Sequence, residues 1–100
     1  MTPEAFRALV MSLPRVRERA VLGAWEYRVR DRAFATRGWP QSEWLTLKVP
    51  AGDLAGLLAR ERGWQSLPGR PGVVLRPLGD LDEEGLRPLL RAAWKLANEG

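Results

Sequence analysis

Residues 25–50, WEYRVRDRAFATRGWPQSEWLTLKVP, decide the fold. Trp25, Tyr27 and Val29 alternate with Glu26, Arg28 and Arg30, and a period of two marks a half-buried strand. A second run, Arg32 to Thr36, follows at once. With Arg30-Asp31 as a two-residue loop, Tyr27 falls opposite Phe34 and Trp25 opposite Thr36. That register predicts a core face of Trp25, Tyr27, Val29 and Phe34, with Glu26, Arg28, Arg30, Ala33 and Ala35 on the other side. Arg-Asp is a poor type I′ pair, a turn that favours Asn-Gly or Asp-Gly, and a one-residue slip would reverse the faces. Gly38-Trp39-Pro40 breaks the chain. A third strand, Trp44 to Val49, sends Leu45, Leu47 and Val49 one way and Trp44, Thr46 and Lys48 the other. Pro50 ends it.

Outward from this stretch, helical patterns appear on both sides. Thr2-Pro3-Glu4 is a helix start, and Phe6, Leu9, Val10 and Leu13 make one apolar stripe, so a helix is expected over residues 2–13. Pro14 stops it. Arg15 to Gly23 fits neither period: a helical turn and an extended lead-in both remain open. After Pro50, Asp53, Leu54, Leu57 and Leu58 mark a short amphipathic helix closed by Gly63. Trp64 to Ser66 reads as a brief edge strand, Leu67 to Gly72 as a turn, and Val73 to Pro77 as the last strand, with Pro77 at an edge. The final helix opens at Asp82, with Leu81 and Leu86 at the spacing of a hydrophobic staple. Pro88 should kink it or move its regular start to about residue 87. The order is α-β-β-β-α-(β)-β-α. One domain over 1–100 is expected, an α+β two-layer sandwich with the helices on one face of an antiparallel sheet and the other face open.

Composition narrows the chemistry. The chain has 100 residues, no cysteine and no histidine. That excludes Cys/His zinc sites, Ser-His-Asp triads and thiol catalysis. Asp80, Asp82, Glu83 and Glu84 read as helix capping, so neither a metal nor a cofactor is expected. The glycine spacing fits no phosphate-binding motif. No apolar run is long enough to span a membrane, no targeting segment is visible, and a cytoplasmic protein is expected. The net charge is +4, and the excess lies between Arg15 and Arg37. There, arginines 15, 17, 19, 28, 30, 32 and 37 face only Glu18, Glu26 and Asp31. Arginine suits phosphate contacts; a GC-rich coding bias gives the same composition.

Taken together, MTPEAFRALVMSLP, YRVRDRAFATRGWP, LTLKVP and LDEEGLRPLLRAAW resemble the MmcQ/YjbR family of small bacterial proteins, from about Met1 to Ala97. The most specific pieces are RVRDRAFAT and the lysine of LKVP; Arg32, Phe34 and Lys48 match the family motif. The resemblance implies a two-layer sandwich of the type α-β3-α-β2-α. It also implies DNA binding, the usual description of members, and no assigned enzymatic activity. The chain departs from the family at Val21-Leu22-Gly23, where members often carry His before Phe-Gly. It departs again at Pro71-Gly72, where Trp or His-Trp is common, and its Leu67–Gly72 loop is shorter.

The open sheet face is the candidate site. By alternation it should carry Arg28, Arg30, Trp44, Thr46, Lys48, Val74 and Arg76 over small Ala33 and Ala35. The expectation is a non-enzymatic protein that binds DNA or RNA with low sequence specificity. Arg28, Arg30, Lys48 and Arg76 would contact phosphates and Trp44 would stack. The alternative is a protein-interaction module or homodimer through the same face, anchored by Trp44 and Val74. The plainest reading is a face charged for solubility and edge protection. No catalytic residue is assigned; Lys48 as a base would need a burial that the sequence does not display.

Overall fold

The computed structural model describes residues 1–99. Its frame is a 6-stranded sheet in the order β1-β2-β3-β4-β6-β5, antiparallel at every junction. The strands are β1 (Arg17–Val21), β2 (Ala24–Val29), β3 (Arg32–Arg37), β4 (Trp44–Lys48), β5 (Gln65–Ser66) and β6 (Val73–Pro77). The helices are α1 (Pro3–Met11), α2 (Ala51–Arg60) and α3 (Glu83–Glu99). None is long and apolar enough to cross a membrane. The fold is the expected α+β arrangement.

The ambiguous stretch before Gly23 is extended. β1 joins β2 through Leu22-Gly23, both at positive φ (50° and 83°), the backbone of a two-residue hairpin turn. Glycine adopts that conformation freely, so the Leu-Gly dipeptide closes the hairpin at little cost beyond Leu22 itself.

The β2–β3 turn forms at Arg30-Asp31 as a two-residue loop, with both residues left-handed (φ 50° and 60°). Val29 pairs with Arg32 and Arg28 with Ala33, as the expected register requires. The register then shifts between Tyr27 and Arg28, so Tyr27 pairs with Ala35 and Trp25 with Arg37. Phe34 is the extra residue of a β-bulge, a feature that adds one residue to one strand and reverses the faces beyond it. Ala35, expected on the open face, is therefore in the core, and Thr36 takes the open face opposite Glu26. Trp25 is a second correction: it lies opposite Arg37, outside the core cluster, and is exposed.

Tyr27, Val29, Phe34, Leu45, Leu47 and Val74 pack with Phe6 and Val10 of α1, Leu57 of α2 and Leu86 and Leu90 of α3 in one cluster. Phe6 meets Tyr27 edge-on, ring centroids 5.5 Å apart. Asp82 caps α3, its Oδ1 accepting the Gly85 N–H at 2.7 Å, and Leu81 and Leu86 are both buried as a staple requires. Pro88 does not displace the helix start; α3 runs from Glu83 through it. Pro88 and Glu84, whose carbonyl loses the bond, both lie on the exposed side, where water can satisfy that carbonyl. β6 is interior rather than an edge, but β5 pairs only with Val74 and Leu75, so Pro77 lies beyond its reach.

Tyr27 also ties β1 to the helical layer. Its hydroxyl donates to Glu18 Oε2 at 2.9 Å, and Arg7 Nε of α1 donates to the same carboxylate at 2.9 Å. Burial first, and then Glu18, push the Tyr27 phenol up to about 12. Burial alone would raise the Glu18 carboxyl, but hydrogen bonds from Arg7 and Tyr27 outweigh it and hold it below its ordinary value.

Two outcomes are expected. Asp31→Gly should raise stability by about 1 kcal/mol, because it relieves a left-handed non-glycine residue. For a domain of this size that is a rise in Tm of roughly 4–8 °C; a fall would mean that Asp31's contact with Arg28 matters more than its backbone. The Tyr27 contribution should be fully present below pH 10 and lost as pH rises through about 12, because the folded state holds the phenolic proton more tightly than the unfolded chain. Urea unfolding at pH 8 and pH 12 should show an alkaline loss on the order of 2 kcal/mol that Tyr27→Phe removes. An equal loss in both proteins would place the alkaline limb on another group.

Candidate nucleic-acid interface

Cross-strand partners share a face, so the register assigns every strand position. Glu18 touches α1, so its neighbours Arg17 and Arg19 point the other way. Arg17 pairs with Arg28 and Arg19 with Glu26. Glu26 pairs with Thr36, Thr36 with Thr46 and Thr46 with Leu75. The face that the helices leave open thus carries Arg17, Arg19, Glu26 and Arg28 on one side, and Trp44, Thr46 and Lys48 on the other. Ala24, Ala33 and Thr36 lie between them.

The expected set divides. Trp44 and Lys48 are where alternation put them, half-buried and exposed respectively. Arg28 shares their face but is engaged: Nη1 donates to Glu26 Oε1, and Nη2 donates to the Asp31 carbonyl at 2.6 Å. The hydrogen bond to Glu26 and the charges of Glu26 and Asp31 outweigh burial and raise its pKa, so it stays charged. Arg30 sits in the β2–β3 turn, exposed, at the end of the sheet. Arg76 belongs to the opposite face. It pairs with Leu45 of the core, lies 5.9 Å from the Trp64 ring, and packs so close to Gly63 that a Cβ there would come within 2.8 Å of its Nε. Val74, expected beside it on the open face, is fully buried opposite Leu47. A dimer anchored on Trp44 and Val74 therefore loses one of its two anchors.

Arg17 and Arg19 were not anticipated. The signal was present in the alternation of Arg17, Arg19 and Val21 with Glu18 and Ala20, but with Glu18 the only residue of that segment to reach the core side through a polar contact, it had no apolar period. Together with Arg15, Arg28 and Arg30, Arg17 lines a groove of about 610 Å³ at the sheet end, where Asp31 supplies a carboxylate.

A second hollow, about 470 Å³, opens in the middle of the same face. Ala24, Ala33, Thr36 and Thr46 leave its floor low, while Leu22, Trp39, Leu67 and Arg70 stand around it with Lys48. The loop between β3 and β4 is fastened to this floor, since the Thr46 hydroxyl donates to the Trp39 carbonyl at 2.9 Å. Leu22 and Trp39 are both exposed.

The chain matches the YjbR family over residues 11–96, from the end of α1 through most of α3. No match was found among curated proteins. The match takes in the whole sheet and with it both hollows of the open face, and the chain belongs to the YjbR family, the MmcQ/YjbR group that its hairpin and LKVP motif resemble.

Proposed function

We propose that this protein binds nucleic acid through phosphate contacts on its open sheet face, without strong sequence preference, in the cytoplasm. One observation carries the reading: Arg17, Arg19, Arg28 and Lys48 stand on one uncovered face, with Arg17 directly opposite Arg28. Like charges placed opposite each other in an antiparallel pair are destabilising. Glu26 and Asp31 offset part of that repulsion at Arg28, and a polyanion would offset the rest. Arg15 and Arg30 extend the cationic surface at the sheet end, and Trp44 offers a ring among the charges. Arg28 keeps its commitment to Glu26 and Asp31, which a phosphate would share. Arg76 has no part in this surface. No base-reading helix is invoked, so discrimination among sequences should be small.

The test is anisotropy of labelled oligonucleotides over a range of salt. Affinity should fall as salt rises, through release of counterions. Arg17→Ala and Lys48→Ala should each weaken binding to all sequences alike and lower the slope of log K on log salt by about 1. Arg76→Ala, on the other face, should leave the slope unchanged. Absence of binding at low salt would overturn the proposal.

A further inference from the structure

We infer that the central hollow of the open face receives an unstacked base of a single-stranded nucleic acid, with flanking phosphates on Lys48 and Arg70. This rests on the reading that the face binds nucleic acid, and adds the form of the ligand. The hollow, about 470 Å³, falls in the size range of small-ligand sites. Its floor is low because the sheet carries alanine and threonine where a protective face would carry long side chains. Its wall is apolar where the surroundings are charged. Leu22 stands fully exposed at the β1–β2 turn, and Trp39 is 43% exposed across from it. Indole and isopropyl groups left in water at the rim of a cationic surface suit a planar ring, which can stack in any sequence context. Lys48 and Arg70, both exposed, border the same hollow and are placed for the phosphates on either side of such a base. Glu26 reaches the hollow too, but its carboxylate is held by Arg28, so the anionic ligand does not meet an unpaired charge. A duplex keeps its bases stacked and paired. It could touch the arginines, but it would leave the hollow unfilled.

The experiment compares, at one low salt concentration, single-stranded DNA, single-stranded RNA, the corresponding duplex, and an abasic oligomer with the same number of phosphates. Base-bearing single strands should bind more tightly than the abasic oligomer and the duplex; the DNA and RNA arms show which sugar is accepted. Trp39→Ala should lower single-strand affinity by about 5- to 150-fold, the range of base–aromatic stacking, and leave abasic binding unchanged. Thr36→Phe fills the floor without altering any charge and should do the same; Trp39→Ala alone decides if that variant fails to melt cooperatively. If the abasic oligomer binds as well as the single strand, or Trp39→Ala changes nothing while Lys48→Ala still weakens binding, the base-pocket inference falls and phosphate binding stands. If no oligomer binds, both fall.

Discussion

The bulge at Phe34 is the constraint on which the open face depends. Without it, Tyr27 would pair with Phe34, Ala35 would sit on the open face and Thr36 in the core. With it, Phe34 and Ala35 are both buried, and Thr36 joins Glu26 and Thr46 across the middle of the sheet. A bulge also bends its strand and increases local twist. The hollow lies at this place in the sheet, where Ala33 and Thr36 flank the extra residue. One inserted residue thus buries Phe34 and Ala35 together and places Thr36 on the floor of the cleft on the other side.

The electrostatics of the two faces follow different rules. On the helical side two arginines are used structurally. Arg7 holds Glu18, and through it Tyr27, while Arg76 lies against Trp64 with its Nε buried. On the open side the cations outnumber their partners, and Arg17 confronts Arg28. Arginine-rich composition by itself did not separate function from coding bias. Position adds what composition lacks: Arg17, Arg19 and Lys48 share the face that the helices leave uncovered.

Much of this was legible in the chain. The turn at Arg30-Asp31, the faces of β4, the staple around Asp82 and the open second layer follow from periods and caps. The failures have specific causes. A parity argument carries the face of one residue to the next and cannot sense an inserted residue, so Ala35 and Thr36 were exchanged. Val73-Val74-Leu75 is apolar throughout, so it has no alternation to orient it, and Arg76 was assigned to the wrong side with Val74. Trp25 was given to the core by its alternation with Tyr27 and Val29, yet its partner is Arg37 at the end of the hairpin, outside the packed cluster. β1 stayed open between a helical turn and an extended lead-in because its inward positions are Glu18 and Ala20. A strand that reaches the core through a hydrogen-bonded carboxylate does not display a hydrophobic period.

The Glu26–Arg28 pair joins the two parts of the open face. Arg28 lines the arginine groove and Glu26 lines the central hollow, and the two are two residues apart on β2, roughly 7 Å along the strand. Both side chains keep about a fifth of their surface exposed (22% and 21%), so the pair is shielded enough to form and wet enough to exchange partners. A strand of nucleic acid lying across β2 would bring phosphates to Arg17 and Arg28 and a base to the hollow beside Glu26. A phosphate sharing Arg28 through Nη2 would leave Nη1 on Glu26, so the carboxylate beside the hollow would stay paired. In that arrangement the one ion pair would keep the centre of the face free of an unpaired carboxylate while the arginines at its end meet phosphates.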